Sequence, residues 1–273
     1  MPAALPGEIA TTANKARESR IAAAALVASL AVVLWSQWRA SLGGETKPPR
    51  KNVKLPGLVI NFEERSVDLE GTVCLDEGML ELVACTKGSK EHESIVALTA
   101  RPMHIHAALL LLGAKPGHPA MRKPLDKEGK RWVDVPPRGD PVVVSLVFED
   151  KTGKTVERPI SRFVAPAGQE AGDVTEDVKF PDTFVFAGSF LRENGSGPRT
   201  YLCDESGNVI SISTFGDEVL SLPDIHSNAN AMLEWQVDPS ELPPVGTKVI
   251  LRLRPRAKAV PRPSERQKPL ANP

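Results

Sequence analysis

"ELVACTKGSKEHESIVALTARPMHIHAALLLLG", Glu81 to Gly113, carries both the strongest fold signal of this chain and most of its reactive side chains. The apolar alternation of "MLELVAC" ends at Cys85, polar "TKGSKEHES" follows, and "SIVALTA" is then apolar on both faces. This reads as a strand, a polar connection and a buried strand. Next, "RPMHIHAALLLLGAKPG" puts Pro102 where a first helical residue tolerates it, then an Ala/Leu interior, then Gly113 as a stop with Pro116 beyond. Those signals predict one helix over about 102–113. Its interior is apolar all round, which predicts burial against a sheet.

Working outward, the neighbouring segments also read as strands. "GLVINF" and "RSVDLEGTVCL" alternate or run apolar over strand lengths, and the turn "DEG", Asp76 to Gly78, predicts a hairpin into "MLELVAC". "DPVVVSLVFEDKTGKTVERPISRFV" reads as a hairpin turning at Lys151 to Gly153. "FVFAGSFLRENGSGPRTYLCDESGNVISIST" reads as a three-stranded meander with turns near Gly195 and Gly207, and "MLEWQV" and "TKVILRLRP" supply the last strands. The acidic stretch from Gly168 to Asp182 has no apolar pattern and reads as a loop. No period repeats along the chain, which excludes a propeller or solenoid. The fold class expected is α+β, a largely antiparallel β-sheet body with one buried helix.

The ends speak about location. Residues 1–20 are charged, with Lys15, Arg17 and Arg20, and an apolar run from Ile21 to Trp35 follows within 21–38, closed by Gln37, Trp38 and Arg39. The run suits a signal peptide, or a signal anchor retained with its tryptophans at the membrane interface. Both readings put the body outside the cytoplasm, exported or membrane-tethered, with the membrane as a partner if the segment is not cleaved. Residues 39–54 are a basic Pro/Gly linker, 55–254 the folded body, and 255–273 a basic, proline-rich tail expected to be disordered. Lys plus Arg and Asp plus Glu balance at 34 each over 273 residues, so no global field favours nucleic acid.

Three readings of the chemistry stay open. In one, Cys85 is a nucleophilic or redox thiol, with His92 or His106 stabilising the thiolate and Glu93 orienting the imidazole. In another, Cys85, His92 and His106, with Glu81 or Glu93, hold a zinc-like divalent metal, although their spacing matches no standard zinc motif. In the third, Cys85 is a small buried hydrophobe beneath a solvated turn. Strand alternation would put His92 and Ser94 on one face, with Glu91 and Glu93 on the other. His104 and His106, two apart on a helix, point about 200° away from each other and cannot share a site. Of the three cysteines, Cys74 falls opposite about Leu80 in the expected hairpin, which argues against a Cys74–Cys85 bridge; pairing among Cys74, Cys85 and Cys203 is otherwise undetermined. Serine-hydrolase, zincin, dithiol C-x-x-C, Walker and dinucleotide motifs are missing from the sequence.

The string "ACTKGSKEHES" followed by "HAALLLLG" and "KPG", with "PPRGDPVVVSLVFED", "FVFAGS" and "PPVGTKVILRL", resembles the YdjY domain family of bacterial, often exported proteins. The resemblance spans most of residues 55–252. It implies a similar fold, with Cys85, Lys90, His92, Glu93, Ser94 and His106 at the family's characteristic positions; it brings no established activity. Lys90, Ser94 and His106 are accordingly candidate binding side chains. The expectation is a binding or structural module of the cell envelope, with a thiol- or metal-dependent enzyme centred on Cys85, His92 and His106 as the alternative.

Overall fold

The structure is a computed structural model, and it describes residues 51–168 and 179–256. Eight strands close into a barrel: β1 (Ser66–Val73), β2 (Leu82–Thr86), β3 (Ser94–Leu98), β4 (Pro141–Glu149), β5 (Thr183–Phe186), β6 (Asn208–Ser211), β7 (Leu220–Ser221) and β8 (Lys248–Pro255). The order around the barrel is β1-β8-β4-β5-β7-β6-β2-β3 and back to β1. Neighbours are antiparallel except for two parallel pairs, β2 with β3 and β6 with β7.

Alternation explains which side of each strand faces in. In β8, Val249, Leu251, Leu253 and Pro255 are buried while the intervening residues are not, the period of two that a half-buried strand requires. Val67, Leu69, Val144, Leu146, Phe184, Phe186 and Ile210 join them in the core. β3 is buried at every position, as its apolar pattern predicts.

Closure depends on β1, which has two partners along one edge. Leu58–Asn61 pairs with its first half, Leu58 opposite Leu69, and β3 takes over at Gly71, opposite Leu98. A Cβ at Gly71 would stand 2.6 Å from Val96 Cγ1. Only glycine lets the strand that closes the barrel approach so near.

Helix α1 (Pro102–Leu111) leans on β1 and on the short helix α2 (Leu202–Ser206). Its own N-cap, Arg101, makes no side-chain cap bond. Asp204 of α2 does that work from outside: Oδ1 accepts the Met103 N–H at 2.9 Å and Oδ2 pairs with Arg101 Nε at 2.5 Å. At the other end, Gly113 (φ +87°) donates to Leu110 O and Ala114 to Leu109 O, the paired bonds of a Schellman ending.

Several expectations are corrected. β1 and β2 do not form a hairpin, because β3 lies between them. The predicted meander is a hairpin, Leu191–Asn194 with Gly197–Tyr201, that runs into α2; β6 then pairs with β2 and β7 instead. Helix α1 is buried on one side only, through Ile105, Ala108 and Leu109, while Met103, Leu110 and Leu111 are exposed. Val53–Leu55 pairs with Leu58–Asn61 at the edge of the barrel. The expected charged region 1–20, the signal or anchor 21–38, most of the linker, the heart of the acidic stretch and the tail from 257 lie outside the described residues. Among the described residues no helix is long and apolar enough to cross a membrane.

Candidate functional site

Parallel strands in adjacent positions usually need a crossover of about a dozen residues or more. Between β2 and β3 the chain makes the return with only Lys87 to Glu93. This short link has to fold back over the strand it has just left, and the residue it covers is Cys85, which is fully buried.

Local bonds set the path. Ser89 donates from both its N–H, at 3.2 Å, and its Oγ, at 2.5 Å, to Thr86 O. Gly88 (φ +81°) donates its N–H to Glu91 Oε1 at 2.9 Å. Residues Glu91–Glu93 then form a single 3-10 turn, and Ser94 Oγ donates to Lys90 O at 2.7 Å. Gly207 (φ +79°) receives the folded link, because any Cβ there would collide with the Ser89 side chain.

Beneath the link lie two thiols. Cys74, one residue beyond β1, donates its N–H to Ile95 O at 2.9 Å and its Sγ–H to Ser94 O at 3.1 Å. Cys85 lies opposite Ala97 on the far side of β3. Cys74 is the largest influence on Cys85 and lowers its pKa to about 6; burial opposes it, and the nearby Ser94, Lys90 and Ser89 support it. Interaction with Cys85, burial and the negative charge on Cys85 push the Cys74 thiol far up. Of the two thiols, Cys85 ionises first. All three cysteines are free thiols.

Above the link, charges converge. Lys90 Nζ sits 3.1 Å from Glu93 Oε1, 3.9 Å from Glu81 Oε2 and 3.7 Å over the Phe215 ring centroid. Glu81 is buried and its pKa is raised, first by desolvation and then by the charge of Glu93, with Lys90 opposing. Its backbone O is held by the N–H groups of Ile212 and Ser213, at 2.9 Å each.

The structure thus joins Cys85, Lys90, Glu93 and Ser94 around one link. The histidines are elsewhere. His92 is on the 3-10 turn with its side chain 77% exposed, 3.6 Å from Glu93 Oε2. A 3-10 turn does not alternate, so the expected split of His92 and Ser94 from the glutamates fails. His106 Nδ1 lies 3.0 Å from Gly188 O and 2.9 Å from Tyr201 Oη. Its ring packs edge-on against Phe186 and Tyr201, and burial lowers its pKa despite the Gly188 bond. A neutral His106 locks α1 to the Gly188 turn, the role of a hydrogen-bonded core histidine. Among the described residues no group of three or more His, Cys, Asp and Glu is arranged to hold a metal, so the zinc-like site of Cys85, His92 and His106 is not assembled.

At the end of the barrel beyond Val73, a groove of about 990 Å³ opens beside the loop Pro239–Thr247. Phe148, Val156, Leu242 and Pro243 line it together with Arg158 and Arg162, both of which pair with Glu241. Val73 N–H donates to Thr247 O at 3.0 Å and Gly246 N–H to Val73 O at 2.8 Å, which ties this loop to the residue preceding Cys74.

A closed barrel with two short parallel crossovers, β2 to β3 and β6 to β7, and a family model that covers it, together define the class. The YdjY domain model matches residues 58–254, and the chain belongs to that family. No curated protein and no solved structure matches the chain significantly.

Proposed function

We propose that the protein is an exported or membrane-tethered module of the bacterial cell envelope that binds an extended ligand in the groove beside Pro239–Thr247. The observation that carries the binding part is the groove: its volume is in the range of ligand sites, and apolar Phe148, Val156, Leu242 and Pro243 stand in its wall beside charged Asp150, Arg158, Arg162 and Glu241. The extracytoplasmic part rests on the basic start and the apolar run at 21–38. Trypsin treatment of spheroplasts from cells expressing the full chain tests location. Digestion without lysis supports it, and digestion only after lysis rejects it. Hydrogen exchange of the purified protein with and without solubilised envelope extract tests binding. Slowed exchange over Pro239–Thr247 that Leu242→Asp abolishes supports the groove, and unchanged exchange rejects it.

A second reading, thiol chemistry at Cys85, is favoured by the lowering of its pKa to about 6. It works without an imidazole, since His92 and His106 are engaged elsewhere. Rapid alkylation of Cys85 at neutral pH, slowed in Ser94→Ala, supports it; alkylation no faster than in the unfolded chain rejects it.

A further inference from the structure

We infer that the groove beside Pro239–Thr247 takes an apolar chain ending in a single carboxylate, held by Arg158 and Arg162 in place of Glu241. The inference rests on the reading of this groove as a binding site and names the chemistry of its ligand. Arg158 Nε lies 3.6 Å from Glu241 Oε2, and Arg162 Nη2 donates to Glu241 Oε1. Two guanidinium groups thus face one carboxylate, and among the described residues neither forms an ion pair with another acid. Arg158 Nη1 also donates to Glu157 O at 3.3 Å. A guanidinium carries five N–H donors and a carboxylate about four acceptor sites, so this corner keeps donors and one positive charge in excess. The other acids along the groove, Glu149 and Asp150, stand beside Lys151 at the hairpin turn, where Asp150 Oδ1 already accepts bonds from Thr152 and from the Lys154 N–H.

The loop puts Glu241 in this position. Asp238 N–H donates to Phe163 O at 2.9 Å, next to Arg162, and Leu242 N–H to Pro239 O at 3.3 Å, so the turn bearing Glu241 is presented to the arginines. The side chains of Arg158, Arg162 and Glu241 are 46%, 56% and 35% exposed, and ion pairs so open to water are weak. An incoming carboxylate displaces Glu241 at little cost, which makes Glu241 an internal competitor. The apolar part of the ligand has its own wall. Val156 registers with Phe148 across the hairpin, which puts the two side chains on one face, and Arg158, two positions along the strand, shares that face. Leu242 and Pro243 stand across the groove, so the charge lies at one end of an apolar surface, the pattern of a site for an amphipathic ligand.

The test is hydrogen exchange of the full chain, read over Ser240 to Thr247, with decanoate, decanol and decyltrimethylammonium as probes. Acetyl-trileucine with a free carboxylate, and its amide, separate a peptide end from a fatty chain. At least one of the two carboxylates is expected to slow these amides at concentrations where its uncharged or cationic counterparts do not. Arg158→Gln and Arg162→Gln each weaken that effect about tenfold, whereas Glu241→Gln strengthens it about threefold, because the competitor has lost its charge. Circular dichroism monitors folding, and a Glu241 that only braced the loop would speed exchange in Glu241→Gln without tightening binding. Equal slowing by a carboxylate and its neutral counterpart overturns the inference while leaving the groove a binding site. So does weaker carboxylate binding in Glu241→Gln. Unchanged exchange with every probe overturns it too, and the envelope extract then decides separately whether the groove binds a ligand.

Discussion

The outer face of the barrel and the crossover above Cys85 both concentrate charge, and they do so with opposite consequences. On the outer face Arg252 forks onto Asp68, with Nε–Oδ1 at 2.6 Å and Nη2–Oδ2 at 2.7 Å, and reaches Glu157 at 3.0 Å. Glu157 also pairs with Arg254 and accepts the Ser145 hydroxyl at 2.6 Å. The Arg254 bond above all holds the Glu157 carboxyl down at about 2. Strand register puts Asp68 and Arg252 side by side, so each charge finds an opposite one. In the crossover the carboxylates of Glu81 and Glu93 must share a single lysine, and Glu81 is forced upward while a thiol beneath is forced downward. Matched register produces fully paired charges; a link too short for its span produces crowded ones.

The strongest way to break this comparison is Arg252→Ala. It leaves Asp68 and Glu157 without their shared cation and is expected to cost about 2–4 kcal/mol in urea unfolding. A cost near that of an ordinary surface pair would make the ladder decoration. Gly207→Ala attacks the crossover instead. Both the positive φ and the collision with Ser89 oppose it, so a loss of ~1–3 kcal/mol is expected together with faster exchange of the amides from Lys87 to Glu93.

Acid sharpens the contrast. The folded pKa of Glu157 is below its unfolded value, so its contribution is present above about 4.5 and is lost as pH falls toward about 2. Discounted for partial exposure, that is ~1–2 kcal/mol, and Glu157→Gln should flatten this part of an acid-unfolding curve. For Cys85 the sign is the same, because its folded pKa is also depressed. Its contribution is full above the unfolded thiol value near 9 and is lost as pH falls through about 6. Ultraviolet thiolate absorbance should titrate near that lower value and move up by about one pH unit or more in Cys74→Ala. The smallest effect belongs to Glu81. Its folded pKa is raised, so the native state loses stability as pH rises through that value. Glu81→Gln should gain roughly 0.5 kcal/mol at pH 8 relative to pH 5 in parallel melts.

Much of the barrel was legible in advance. β3, β4 and β8 announce themselves by apolar runs or by period-two alternation, and the hairpin at Gly153 by its turn residues. The helix boundaries were nearly right because Pro102 and Gly113 act locally. The exposed side of α1 was not legible, since an all-apolar helix carries no sign of which stripe its neighbours will cover. The meander failed at Tyr201, where the chain turns into α2 and so brings Asp204 to the foot of α1. In the site, the sequence proximity of Cys85, Lys90, Glu93 and Ser94 was informative because the link is short. The two histidines misled because adjacency in sequence says nothing about the direction in which a 3-10 turn or a helix aims its side chains.

By itself the sequence determined what depends on neighbours along the chain: strand and helix periods, glycine turns, the charge balance and membership of the YdjY domain family. Only the tertiary structure decided that β3 runs parallel to β2 and lies between it and β1. Hydrophobic alternation sets which side of a strand is buried, yet it is indifferent to the strand's direction and to its partner. That one long-range pairing is what places Cys74 and Cys85, eleven positions apart in sequence, on opposite sides of β3.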